Sequence, residues 1–440
     1  MTITVAIVGA GPAGFYTADA LVNAGCDIQV DIIERLPTPY GLIRAGVAPD
    51  HQTTKKVARK YEKTALFDSV RFYGNVEVNK DVGLDELRAM YDAVVLAVGA
   101  PSDRKLTIPG ADKKGVHGSA AFVGWYNGHP DFRDLEPDLN TKAAVVIGNG
   151  NVALDVARVL VRTREGMAQA QADIAAHAMA KIERSALTDI HICGRRGPVE
   201  AKFTNVELRE LGELENAVPL AQAGQIPDAV PDDAGLDDRD RRLAERNLAS
   251  LREYAGNDPN AKPKRIHFEF FASPVEILGG DKVEGVKFER TRLQGSQAVG
   301  TGEYFAIPCG LVVAAIGYRS DPIKGAPFDD KAGIVPNDNG RVDAGLYAVG
   351  WIKRGPTGVI SSNRPDGVIV SEYICSDFKG GGGRPGRAAL EALLKERRVR
   401  AVSFQDWKKI EAAEEARAKG GTGPREKFVD VAEMLKVLDA

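Results

Sequence analysis

Val5-Ala-Ile-Val-Gly-Ala-Gly-Pro-Ala-Gly14 is the stretch that decides the fold. Val5, Ile7 and Val8 read as a short buried strand, and Phe15 to Val22 carries apolar residues at helical spacing. Pro12 stands where a first helical turn tolerates a missing N–H. Between strand and helix, Gly9, Gly11 and Gly14, with Pro12 and Ala13 between them, fit G-x-G-x-x-G. The first glycine allows the tight turn, the second lets backbone approach a pyrophosphate, and the third permits close helix–strand packing. A phosphate held there would sit on the helix N-terminus. In a chain with 47 glycines the triplet alone carries little weight, so its context matters. A second strand, Gln29–Ile33, ends at Glu34, an acid about twenty residues past the last glycine, the spacing for gripping a ribose hydroxyl.

The same design recurs. Ala143-Ala-Val-Val-Ile-Gly-Asn-Gly-Asn-Val-Ala153 is strand, turn and helix again, with Gly148, Gly150 and Ala153 in the G-x-G-x-x-G/A pattern. Two such contexts in one chain predict two dinucleotide-binding domains. The strand after the second one, Ile190–Cys193, runs into Gly194-Arg195-Arg196, with no acid at the place Glu34 holds in the first. An acid would repel a 2′-phosphate, whereas arginine accepts it through charge-assisted forks. The second site therefore reads as selective for NADP.

The rest of the chain fits around these two units. At 440 residues it exceeds the roughly 250–300 that one core supports, so more than one domain is expected. Buried strands ending in glycine, Ala93–Gly99 and Leu311–Gly317, suggest the crossing points between them. The boundaries expected are 1–102 plus 320–440 for one domain and 103–319 for an insertion. A net charge of −3 argues against a general nucleic-acid binder. No apolar run approaches the ~18 residues of a membrane span, and no signal-peptide pattern precedes the first strand. Cys26, Cys193, Cys309 and Cys375 show neither C-x-x-C nor metal-ligand spacing, so free thiols and a cytoplasmic location are expected, with no catalytic dithiol and no metal site. Helices are expected from His51 through Lys63, over Asp85–Met90, Val206–Leu211 and Asp237–Tyr254, and from Gly355 through Phe378. Strands around His267–Phe271, Glu276–Leu278 and Val283–Arg290 suggest an antiparallel meander. Lys55, Lys56, Arg59 and Lys60 would make one basic helical face, and Arg239 to Arg246 a second basic surface. Gly380–Gly383 reads as a flexible breaker, and a charged helical tail follows from Ala388.

Taken together, Ala6–Phe15, the loop Tyr40-Gly-Leu-Ile-Arg-Ala-Gly-Val-Ala-Pro-Asp-His51, Gly148–Val152, Gly194–Arg196 and Gly350-Trp-Ile-Lys-Arg-Gly-Pro-Thr-Gly-Val-Ile360 closely resemble the adrenodoxin reductase type of ferredoxin–NADP reductase. The Gly350-Trp351 step is telling, because many two-dinucleotide flavoproteins look like they carry Gly-Asp there. The resemblance implies an α/β, glutathione reductase-like flavoprotein with two Rossmann-like domains, FAD in the first and NADPH in the second. Gly9, Gly11, Pro12, Ala13 and Gly14 would cradle FAD. Glu34 would hold its ribose, with Arg35, Leu42 and Val78 also at the site. Gly350, Trp351, Gly358, Val359 and Ile360 would border the flavin. Arg104, Gly148, Asn149, Gly150, Asn151, Val152, Arg195, Arg196 and Glu207 would line the NADP site, with Gly358 reaching the nicotinamide end. His51 and Glu207 match family positions that form a polar pair near the rings, with His51 orienting a cofactor or relaying a proton.

The implied reaction is hydride transfer from NADPH to FAD, then single electrons to a separate, acidic ferredoxin-type iron–sulfur protein, reversibly. No cysteine cluster here could hold an iron–sulfur centre. A pyridine-nucleotide disulfide reductase would need a redox cysteine pair, which the spacing does not provide. An NADPH-oxidising subunit similar to the glutamate synthase small subunit is the alternative. A flavin- or NADP-binding sensor without turnover is the reading from another class.

Overall fold

A strand buried at all six of its positions, as Ile3–Val8 is, needs apolar cover on both faces of its sheet, and parallel sheets provide that cover with helices. The computed structural model describes residues 2–232, 234–379 and 381–439. The strands used below are β1 (Ile3–Val8), β2 (Ile28–Ile33), β3 (Val70–Tyr73), β4 (Ala93–Leu96), β5 (Val116–Gly118), β6 (Ala143–Ile147), β7 (Asp189–Cys193), β8 (Ala217–Ala221), β9 (Lys264–Glu269), β10 (Ala272–Leu278), β11 (Gly285–Gln294), β12 (Gln297–Pro308), β13 (Leu311–Ala314), β14 (Arg341–Asp343) and β15 (Leu346–Ala348). The chain divides into two units. The first holds 1–102, 127–133 and 317–440; the second holds 103–126 and 134–316.

In the first unit the sheet order is β14-β15-β4-β1-β2-β3, parallel throughout except for β14. Strand periodicity sorts the side chains onto two faces. Val5, Ile7, Val30, Ile32 and Val95 pack with Phe15, Leu21, Val370, Ile374 and Trp407. Ala6, Val8, Ile33, Val94 and Leu96 pack with Leu84, Leu87, Leu390 and Leu394. The helices Pro12–Val22, Asn363–Asp377 and Phe404–Arg417 thus cover one face, and Leu84–Met90 and Arg387–Glu396 the other.

Several expectations for this unit are corrected. Residues 127–133 belong to it and not to the insertion. They are tied in by the Arg35–Asp131 and Arg133–Asp430 ion pairs and by Lys427, whose Nζ donates to the Asn127 carbonyl at 3.1 Å. The helix expected from His51 through Lys63 is two pieces, Gln52–Lys55 and Ala58–Ala65. Lys55 is buried beside Asn127 and Lys60 pairs with Asp19 at 2.9 Å, which leaves Lys56 and Arg59 as the exposed basic groups of the expected face. Cys26 and Cys375 form a disulfide across 349 residues, a pairing that spacing could not reveal. Gly380 of the expected breaker lies outside the described residues.

The second unit has a wholly parallel sheet in the order β5-β13-β6-β7-β9-β8. A three-stranded antiparallel sheet, β10-β11-β12, packs on it through Ile277, Val286, Phe288 and Ile307 against Val145, Ile147 and Cys193. The strand at His267 therefore belongs to the parallel sheet, not to the meander, and the meander's third strand is β12, which the sequence reading lacked. That strand is mostly exposed, so it carries no apolar alternation to betray it. The helix Asp238–Ala255 starts on an Asp237 cap whose side chain accepts the Asp240 N–H.

Candidate functional site

Each unit places a strand, a glycine turn and a helix N-terminus at the heart of its parallel sheet, and the small residues divide their duties identically. Gly9 and Gly148 have φ of 109° and 146°, and an added Cβ would lie 2.6 Å from the Ala97 oxygen or 2.2 Å from the Ala315 oxygen. Gly14 packs so tightly that a Cβ would come within 2.1 Å of the Gly9 oxygen, and Ala153 is fully buried in the matching place. Gly11 and Gly150, by contrast, would present a Cβ to open space, with nothing within 4 Å. Those two positions, each the N-cap of its helix, leave room for a ligand against backbone.

In the first unit, Glu34 ends β2 and folds back on the turn. Its carboxylate accepts the Ala10 N–H at 3.0 Å and the Leu36 N–H at 3.1 Å. Burial raises its pKa against the pull of those two N–H donors. Arg35 is spent on Asp131, and Val78 is half-buried at a short bridge to Val82. The loop after Tyr40 is pinned to the fingerprint: the Tyr40 N–H donates to the Ala10 oxygen at 2.8 Å, and Gly41 lies close against Gly11. Leu42 follows, 41% exposed beside that cradle. Arg44 holds the loop from behind, pairing with the fully buried Glu414 at 2.8 Å and lying over the Trp407 ring. His51 caps Gln52–Lys55, its N–H donating to the Ala48 oxygen.

The far end of the same unit contributes Gly350–Ile360. Gly350, at φ 72°, approaches Ala13 so closely that a Cβ would lie 2.6 Å from the alanine methyl. Asp366 fixes this turn by accepting the Gly350 N–H at 3.0 Å, Lys353 at 2.9 Å and Arg354. The Trp351 indole donates to the Thr357 oxygen at 3.1 Å, and Val359 is left 65% exposed between Gly358 and Ile360. Asp366 escaped the sequence reading. Its sole signal was an acid inside a helix shortly after a glycine-rich loop.

In the second unit, Asn149 and Asn151 flank Gly150 and face different neighbours. Asn151 accepts the Thr204 N–H at 2.8 Å, while Asn149 packs against Gly194 and its Oδ1 is buried without a protein partner. Val152 begins the helix. Arg195 and Arg196 open onto a cleft of about 280 Å3 lined also by Ser296, Gln297 and Ala298. Arg104 is exposed and is not among the residues lining it. Glu207 stands in the first turn of Asn205–Glu210, held with Asp155 and Glu210 by the fully buried Arg158 guanidinium at 3.5, 2.7 and 3.5 Å.

Residues 3–189 match the family of pyridine nucleotide-disulphide oxidoreductases. The whole chain is 44% identical to human mitochondrial NADPH:adrenodoxin oxidoreductase, covering 99% of this chain and 92% of that protein. It is 40% identical to the NADPH-ferredoxin reductase FprA of Mycobacterium tuberculosis, covering 98% of both. The chain belongs to the adrenodoxin reductase family. A solved structure of Mycobacterium tuberculosis FprA in complex with NADPH superposes on it with a TM-score of 0.94 at 39% identity, covering all of both chains.

The cysteines of this adrenodoxin reductase relative are not arranged as a dithiol at the turn. Cys26 lies four residues past the C-terminus of Pro12–Val22 and Cys375 in the last turn of Asn363–Asp377, and the first of these helices, about 16 Å long by helical rise, separates Cys26 from the glycine turn. Cys193 and Cys309 are buried thiols; burial pushes Cys193 well up and Cys309 to about 12. Among the described residues no helix is long and apolar enough to cross a membrane.

Proposed function

We propose that this chain is an FAD-dependent NADPH–ferredoxin reductase. The observation that carries the reading is the doubled turn, one copy ending at Glu34 and the other at an arginine pair, in a chain similar over its full length to two such reductases. Bound FAD would supply the conversion between a two-electron hydride donor and a one-electron acceptor. The chain's own task is to bind, orient and exclude water. Gly9–Gly14 and the Leu42 backbone would cradle the FAD phosphates, Glu34 would take the ribose, with Arg35 and Val78 nearby, and Gly350, Trp351, Gly358, Val359 and Ile360 would shield the ring. Gly148–Val152 would receive the second pyrophosphate, at the turn where Gly150 leaves its backbone open. Arg195 and Arg196 would fork the 2′-phosphate, Arg104 would assist, and Glu207 would serve the nicotinamide side. His51 is assigned to orientation or proton relay. The partner is an acidic iron–sulfur protein, for which Arg239, Arg242 and Arg246 offer an exposed basic stripe. We place the protein in the cytoplasm, where donor and acceptor reach it by diffusion.

Stopped-flow mixing with NADPH or NADH tests this directly. Flavin absorbance should bleach, faster with NADPH, and added [2Fe–2S] ferredoxin should relay electrons to cytochrome c with a KM that rises with salt. A colourless preparation that takes up no flavin would end the reading. For His51→Ala, slower NADPH oxidation or ferredoxin reduction is expected, and parental rates for both would remove the role.

A further inference from the structure

The loop Gly194–Arg196 follows β7, and its three successive carbonyls are all taken by the meander. The Ala272 N–H donates to the Gly194 oxygen at 2.9 Å, the Thr291 hydroxyl to the Arg195 oxygen at 2.7 Å, and the Phe271 N–H to the Arg196 oxygen at 3.2 Å. Phe271 is held at φ 52°, uncommon for a residue with a side chain, and its carbonyl accepts the Thr291 N–H at 2.9 Å. Thr291 sits where the β11–β12 register shifts, an irregularity of the kind that re-aims a side chain. Beyond it, the hairpin tip Ser296–Ala298 lines the same cleft as Arg195 and Arg196. At about 280 Å3 the cleft is smaller than those that hold a whole cofactor and suits one polar end of a nucleotide.

We propose that the β11–β12 hairpin is the second half of the 2′-phosphate site: Thr291 is the positioning residue that fixes the arginine loop, and Gln297 adds a polar contact to the phosphomonoester. This rests on the reading of Arg195 and Arg196 given above. Each arginine has a long side chain with many rotamers to lose, and two forks meet one phosphate only if their backbones are already set. A loop whose carbonyls were solvated would have to be ordered at binding, which weakens affinity. The hairpin removes that cost before the ligand arrives.

The test is calorimetric titration of the flavin-loaded protein with 2′,5′-ADP and, separately, with 5′-AMP, which lacks the 2′-phosphate. Thr291→Val and Gln297→Ala should each weaken 2′,5′-ADP about three- to tenfold while leaving 5′-AMP unchanged. Thr291→Ser, which keeps the hydroxyl, should bind as the parent does. In turnover, KM for NADPH should rise while kcat and the NADH parameters hold. Gln297 is exposed at the hairpin tip, so its variant keeps the test decisive if Thr291→Val folds poorly. Parental 2′,5′-ADP affinity in Thr291→Val and Gln297→Ala, alongside a loss in Arg195→Ala and Arg196→Ala, would overturn the hairpin's role alone. Parental affinity in the arginine variants as well would overturn the arginine reading and the hairpin with it.

Discussion

Gly148 and Gly150 stand two residues apart and should fail in opposite ways when given a methyl group. At Gly148 the new Cβ would lie 2.2 Å from the Ala315 oxygen, far inside the 3.0 Å that real Cβ contacts keep, and φ is already 146°. The neighbour is the backbone just past β13, pinned by the Ala315 N–H donating to the Ile147 oxygen at 2.8 Å, and cannot swing aside, so alanine should cost about 1–3 kcal/mol or more in the protein without nucleotide. At Gly150, φ of −123° and ψ of 176° suit any residue, and the Cβ meets nothing. Alanine there restricts the unfolded chain, a gain of about 0.4–1 kcal/mol, and weakens the N-cap by a similar amount. Fold stability should therefore hold within about 0.5 kcal/mol. The loss appears only with nucleotide, because the methyl occupies the space where backbone would meet pyrophosphate. One displaced charge-assisted hydrogen bond is worth about 1.5–3 kcal/mol, or about 10- to 100-fold in Kd for NADP+. Denaturant unfolding and NADP+ titration of both variants check the pair. A Gly150→Ala protein that binds NADP+ as the parent does, or a Gly148→Ala protein with the parental unfolding midpoint, would refute this division of duties.

Cys26→Ser should lower the thermal midpoint without slowing NADPH oxidation, because closing so long a loop constrains the unfolded chain by at most about 5 kcal/mol. Parental protein with reductant should match the variant, and equal midpoints with and without reductant would contradict the pairing. Arg158→Met removes a guanidinium with no exposed surface from among three carboxylates, so unfolding free energy should fall by about 3–5 kcal/mol in denaturant titration. Burial depresses His129 and His191 to about 4, with the neighbouring His267 adding to the effect at His191. The unfolded chain therefore binds more protons than the fold between about pH 4 and 6.5, and stability present above 6.5 should drain as pH falls, by up to about 1.4 kcal/mol per unit for each histidine. A thermal midpoint measured across that window should flatten in His191→Gln, and an unchanged slope would rule this histidine out.

Both nucleotide turns were legible because each is complete within a dozen residues: the positive φ at Gly9 and Gly148, the open face of Gly11 and Gly150 and the tight packing of Gly14 and Ala153 all follow from which residues lack bulk. Glu34 and the arginine pair were legible for the same reason, since each ends the strand next to its turn. What the sequence hid is held by partners distant along the chain. Lys55 looked like part of a solvated stripe because its neighbours are basic, yet Asn127, 72 residues on, stands beside its ammonium group in the buried interior. Arg35 looked available for a ligand but is occupied by Asp131, 96 residues away. Thr291 falls one residue past the strand expected over Val283–Arg290, and nothing local says that its hydroxyl reaches the carbonyl of Arg195. The candidate residues of a site can thus be picked out near a turn, whereas the hydrogen bonds that hold them in place are closed over long loops. Those bonds are fixed by sheet register, and a single bulge, such as the one beside Thr291, changes which side chain reaches the loop.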